Sequence, residues 1–160
     1  MAWFWRGREA QPAEPAPSLE DRPATLRLNL CELNRYINQN SGRLPGESVV
    51  TARRVTDALR EVIETSEVRE LDIYAVVSVK GILNDYLPTT LKSFLALDPS
   101  QLNVPRAAGR TPLESLQEQL DSLWDSASAV LVATQAQDAD ALMTQGNFLR
   151  TKFSRSDLNL

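Results

Sequence analysis

Residues 71–97 read LDIYAVVSVKGILNDYLPTTLKSFLAL, the longest apolar-rich run in the chain. Val76, Val79, Leu83 and Tyr86 recur at spacings of three, four and three, the period of one helical face. Ile73, Val76, Val77 and Val79 are β-branched, so a buried strand over 71–79 is the competing reading. The pattern runs past strand length into Ile82, Leu83 and Tyr86, which favours a helix. Gly81 weakens a helix by roughly 1 kcal/mol relative to alanine and points to a close helix–helix contact. Pro88 has no N–H and its ring crowds the preceding turn, so a kink or a restart is expected at Leu87-Pro88. The pattern resumes with Leu91, Phe94 and Leu95. Thr89 and Thr90 are candidate caps of the restarted helix.

The flanking segments are amphipathic. Upstream, Leu26, Leu30, Leu33 and Ile37 share one helical face, with Leu28, Cys31 and Tyr36 widening or flanking it. Thr25 is a candidate N-cap. After the turn at Leu44-Pro45-Gly46, a second helix carries Ala52, Val55, Leu59, Val62 and Ser66, broadened by Val50, Ala58 and Ile63. Downstream, residues 100–110 read as a loop. Thr111-Pro112-Leu113-Glu114 is the sharpest local signal, with Thr111 as N-cap, Pro112 at the first helical position and Glu114 closing a capping box. Leu116, Leu120, Leu123, Ala127, Val130 and Thr134 follow at heptad-like spacing, which implies near-antiparallel bundle packing. A break at 135–140 precedes a last helix with Leu142, Met143, Phe148 and Leu149.

These elements predict an all-α fold: a helical bundle of four to five helices with a proline-kinked central helix and a disordered N-terminal arm. The expected organisation is an arm over 1–24, a bundle domain over 25–153 and a flexible tail over 154–160. At 160 residues the chain suits one domain with a sizeable core. The arm places Trp3, Phe4 and Trp5 beside Arg6 and Arg8, followed by Pro12, Pro15, Pro17 and Pro23. Such a linker has too little apolar surface to offset its ordering entropy. Three readings of its aromatic tip stand: docking back onto the domain, disorder, or weak contact with a partner or membrane surface, where aromatics and arginines favour anionic headgroups.

Composition narrows the chemistry. The net charge of −4 argues against nucleic acid as the main partner. The chain has no histidine, which removes the commonest general base and metal ligand. The single cysteine, Cys31, rules out an internal disulfide and reads as a small core-edge hydrophobe in a cytosolic setting. No run reaches the roughly 18–20 apolar residues of a membrane span, and the first residues lack the apolar region of a signal peptide. Glu114, Glu118, Asp121 and Asp125 share one face of a helix. They form a solvated acidic face or, with a divalent metal, a hydrolytic site; the attested carboxylate di-metal sites add histidines. Arg53 and Arg54 are a second charged face, and with Arg106 and Arg110 they would line an anion site. No glycine-rich phosphate loop or activated nucleophile is present. No catalytic residue, cofactor or metal is therefore assigned.

Tyr86-Leu87-Pro88-Thr89-Thr90-Leu91-Lys92 resembles a hallmark of the XpaC family, the bromochloroindolyl phosphate hydrolysis proteins. In that family a similar run joins two helices, and a long helix with an acidic start follows. The likeness covers about residues 51–153. It departs from the family in lacking a membrane-spanning N-terminus and in its β-branched 71–79 segment. It implies a helical protein at the cytoplasmic face that works beside toxic-anion-resistance (TelA-like) proteins, and it supplies no catalytic residues. The expected function is a non-enzymatic adaptor or scaffold that binds a protein partner, with weak peripheral membrane contact or homodimer formation, linked to toxic-anion or envelope stress. The alternatives are a metal-dependent phosphoester hydrolase and a small-anion sensor.

Overall fold

A computed structural model describes residues 18–154. A 3₁₀ turn at Leu19–Asp21 leads into α1 (Pro23–Gln39), followed by α2 (Gly46–Thr65), α3 (Ile73–Gly81), a π-helical turn (Ile82–Tyr86) and α4 (Leu87–Leu95). A 3₁₀ turn at Pro99–Gln101 precedes α5 (Pro112–Gln135) and α6 (Ala139–Ser154). The described residues contain no strand, so the β-branched run at 71–79 is helical. Its length and continuation prevailed over local β-propensity. The arm read at 1–17 lies outside the described residues, as does the tail beyond Ser154.

The backbone stays helical through 73–95, so the central element is one long path. Its irregularity is the π turn just ahead of Pro88, after which α4 restarts at Leu87 with Pro88 in its first turn, as the sequence predicts. Leu87 keeps helical torsions (φ −69°, ψ −48°), and its N–H donates to the Ile82 carbonyl, five residues back. A widened turn there absorbs the bond that proline cannot donate and relieves the crowding of its ring. Thr90 does not cap; its buried hydroxyl donates to the Tyr86 carbonyl (2.8 Å). The Thr89 hydroxyl bonds the Asp85 carboxylate (3.2 Å).

Helix directions follow from the cross-links. The α2–α5 pair is the most extensive in the fold, and it is parallel. Ser48 and Thr51 near the start of α2 bond Gln117 near the start of α5, both at 3.0 Å. At the other end, Arg69 just past α2 donates to the Thr134 and Gln135 carbonyls at the close of α5. Antiparallel packing, expected for α5, holds towards α6, where Lys152 reaches Ser122. Towards α2 it is replaced by parallel packing because the central path (73–95) makes the return stroke between them. Arg43, ahead of α2, donates to the Leu95 carbonyl and ties the end of α4 to that pole. Both arginines neutralise the negative C-terminal end of a helix.

The core follows the sequence stripes closely. Leu26, Leu30, Leu33 and Ile37 of α1 are buried, as are Ala52, Val55, Leu59, Val62 and Ile63 of α2, and Leu116, Leu120, Leu123, Ala127 and Val130 of α5. Of the residues read as widening those stripes, Ala58 and Ile63 are buried and Tyr36 packs half-buried against the core. Leu28, Val50 and Cys31 are exposed, because α1 is an edge helix that packs along one stripe and Val50 faces away from α5. Thr25 does not cap α1; the helix starts two residues earlier at Pro23, and the Thr25 hydroxyl bonds the Leu19 carbonyl (2.7 Å).

The capping box at α5 forms as read: the Glu114 N–H donates to the Thr111 hydroxyl and the Thr111 N–H to the Glu114 carboxylate. The same helix ends in a Schellman arrangement, with Asp138 N–H on Ala133 O and Gln137 N–H on Thr134 O. Gln137 occupies the left-handed position (φ 55°), where a side chain is strained. Gln137→Gly should therefore stabilise the protein by about 0.5–1 kcal/mol, read as a rise in the urea midpoint with an unchanged slope.

Candidate functional site

α3 and α6 run side by side and parallel. A Cβ on Gly146 of α6 would lie 3.7 Å from the Ser78 hydroxyl of α3, and further along Tyr86 stacks on Phe153 (ring centroids 5.2 Å apart, planes 24° apart). Within α3, Ala75, Ser78 and Val79 face the core, as does Ile82 in the turn that follows. At 100° per residue, Ile73 and Val77 fall on the side opposite that stripe. They are 66% and 47% exposed, and Tyr74 beside them is 40% exposed. Met143 of α6 is 41% exposed and falls on the α3 side of its helix, as Gly146 does. The result is an outward apolar face on two parallel helices.

Spacing assigned the helical face to Val76, Val79, Leu83 and Tyr86; the buried stripe is instead Ala75, Ser78, Val79, Ile82 and Leu83, with Val76 and Tyr86 half-buried and Ile73 and Val77 outside it. The signal for an uncovered face is that α3 is apolar all round. A helix of that kind buries every face in a large core, but a bundle of this size leaves one face of an outer helix uncovered.

Acidic residues mark the start of this face. Asp72 caps α3 by accepting the Tyr74 N–H (2.8 Å), Glu70 is exposed just before it, and Asp140 is exposed in the first turn of α6. Asp138 caps α6, accepting the Ala141 N–H (3.0 Å). Near the other end of α3, the Lys80 ammonium lies 3.1 Å from both Glu20 and Asp21, which brings the start of the described chain alongside the helix. The Ser18 hydroxyl and then Lys80 hold the Asp21 carboxyl below its usual range.

Tyr86 lies in the π turn that follows α3. Its ring lies over Gly81, where a Cβ would meet Tyr86 Cε2 at 2.8 Å. The close approach foreseen at Gly81 is thus made by a ring of the same helical path, carried over it by the π turn, and not by a second helix. Burial pushes the Tyr86 hydroxyl pKa up, Asp85 adds to the rise and Arg150 opposes it. A raised folded pKa favours the protonated form, so its contribution is complete below about pH 10 and is lost as pH rises through the folded value. Urea midpoints measured on either side of about pH 10 should show an alkaline loss in the native protein that Tyr86→Phe diminishes.

The charged residues singled out from sequence lie elsewhere. Glu114, Glu118 and Asp121 line a groove of about 500 Å³ together with Glu47, Ser48 and Gln117, at the pole where α2 and α5 begin; Asp125 is exposed further along α5. Each of the three is engaged by the chain's own donors: Glu114 by the capping box, Glu118 by Arg110, Asp121 by Gln117 (2.9 Å). No cluster of three or more potential metal ligands occurs among the described residues. Arg53 and Arg54 are exposed on α2, with Arg53 bonded to Asn38. The Arg106 N–H bonds the Arg110 carbonyl in the 102–111 loop. Trp3, Phe4, Trp5, Arg6 and Arg8 lie outside the described residues.

A second cleft, of about 300 Å³, opens at the opposite pole between Arg69, Leu71, Asp72, Thr134, Gln137 and Leu142. The Thr134 hydroxyl is buried there with no hydrogen-bond partner.

The fold defines an all-α helical bundle, and among the described residues no helix is long and apolar enough to cross a membrane. No family model, curated protein or solved structure matches the chain.

Proposed function

We propose that this chain is a non-enzymatic helical adaptor that holds a protein partner on the outer face of α3 and α6. The observation that carries the reading is the exposure of Ile73 and Val77 opposite the core stripe of their own helix, with exposed Tyr74 beside them and exposed Met143 on the α3 side of α6. Burying a side chain of this kind is worth about 1.5–3 kcal/mol, and contiguous apolar surface on a folded protein marks an interaction site. The Ile73–Val77 spacing of four suits a partner helix laid along the face. The likeness of residues 86–92 to the XpaC hallmark supports a TelA-like protein at the cytoplasmic membrane face as that partner.

The test is photo-crosslinking in native cells, with the crosslinker at Val77 or, as a control, at the exposed Glu61 of α2. A discrete product from position 77 alone is expected. The double variant Ile73→Glu/Val77→Glu should abolish capture by the purified chain and leave its melting temperature unchanged. Undiminished capture by the double variant would overturn the reading. Turnover of an aryl phosphate with magnesium or manganese, lost in Glu118→Gln or Asp121→Asn, would replace it with the hydrolase.

A further inference from the structure

We infer that, before a partner arrives, the chain covers this face with its own N-terminal segment, seating Trp3, Phe4 and Trp5 against Ile73, Tyr74, Val77 and Met143. The inference rests on the reading of that face as an interaction surface and adds its regulation: the partner must displace the segment.

Three observations favour this occupant. The first is position. Glu20 and Asp21 are both 3.1 Å from Lys80, so the chain enters the described structure beside α3 itself. From Lys80 to Ile73 is seven residues of one helix, about 10 Å at 1.5 Å per residue. Trp5 and Ser18 are thirteen residues apart, and thirteen residues reach up to about 45 Å. The intervening chain is therefore long enough to bring the tip back to Ile73.

The second is chemistry. The exposed patch is apolar and aromatic, and the segment carries three aromatic residues in succession. Aromatic rings supply large contact area at a low entropic cost. The third is charge. Arg6 and Arg8 follow the aromatics, and Glu70 and Asp140 stand exposed at the N-terminal ends of α3 and α6. Lys80, the basic residue of α3, is already held by two carboxylates, so it does not repel an arriving arginine. A segment whose rings lie on Ile73 and Val77 brings its arginines within range of those acids.

Trp124→Phe in the full chain leaves Trp3 and Trp5 as the only tryptophans. Their fluorescence is read by acrylamide quenching, against a free peptide of residues 1–17. The expected result is quenching well below that of the peptide, rising to the peptide value in the added double variant Ile73→Glu/Val77→Glu with an unchanged far-UV circular dichroism spectrum. Peptide-like quenching in the parent overturns the inference, and so does protection that survives the double variant. Protection that grows with protein concentration assigns the contact to a second copy, and protection that appears only with anionic vesicles assigns the tip to a membrane; either overturns it. Should Trp124→Phe fold poorly, amide spectra of the wild-type chain and of a deletion of residues 1–9 replace it. Shifts centred on Ile73, Tyr74, Val77 and Met143 are expected, and shifts elsewhere or none overturn the inference. Partner capture separates the two claims. Deleting 1–9 should increase capture if the segment competes. Capture unchanged by the deletion but abolished by the double variant removes the inference and leaves the adaptor reading standing.

Discussion

Phe94→Ala is expected to destabilise this protein by about 3–5 kcal/mol, the usual range for truncating a buried aromatic residue. Phe94 is the largest of the fully buried side chains, and it sits on α4 with Leu87, Thr90 and Leu91 buried on the same side. Its loss removes apolar burial and leaves a cavity in the core that the surrounding side chains relax into only in part. Small domains have only about 5–15 kcal/mol of net stability, so the variant should be marginal. The melting temperature should fall by about 6–20 °C, given roughly 2–4 °C per kcal/mol for a chain of this size. Denaturant unfolding at constant slope is the measurement that separates this from a change in compactness. A loss below 1 kcal/mol would mean that α4 does not seal the core.

Gly81→Val should be the second-largest loss, and its contrast with Gly146→Ala is the sharper test. The two glycines lie on neighbouring helices, yet what surrounds them differs. A Cβ at Gly81 meets the Tyr86 ring at 2.8 Å, and that ring is held against Phe153. Valine adds two further methyl groups at a position that has no room for the first. The ring must leave Phe153 or the π turn must unwind, and overpacking of this kind costs about 1–3 kcal/mol. A Cβ at Gly146 meets the Ser78 hydroxyl at an ordinary 3.7 Å. Alanine there should instead add about 0.4–1 kcal/mol by restricting the unfolded chain and improving helix propensity. Equilibrium unfolding of both variants should give opposite signs. The tyrosine pH titration supplies a second readout, because Gly81→Val moves the Tyr86 hydroxyl towards water and its pKa back towards the ordinary value.

The fold was legible where a helix is a local object. Four buried leucine and isoleucine positions on α1, the stripe on α5 and the capping box at Thr111 could be read from spacing alone, since a 3.6-residue period and a cap depend only on residues a few positions apart. The acidic row on α5 was equally legible, and so was its lack of histidine. What those carboxylates bond was not: Arg110 and Gln117 take two of them through contacts set by the loop and by α2. The candidate site was the least legible part. Spacing set Ile73 and Val77 apart from Val79 and Leu83, but only the placement of α6 and of the core around α3 determines which side of the helix meets water.

By itself the sequence determined the class, the helix boundaries to within a few residues and the buried stripe of each amphipathic helix, because periodicity and capping are short-range. Tertiary structure alone decided three things. It set α2 and α5 parallel, since direction depends on the return stroke through 73–95. It placed a π turn ahead of the expected restart at Leu87-Pro88 and so laid Tyr86 over Gly81, since proline dictates a missing donor but not where the helix makes room for it. It left Ile73, Tyr74 and Val77 outside, since exposure is a property of what packs against a residue and not of the residue.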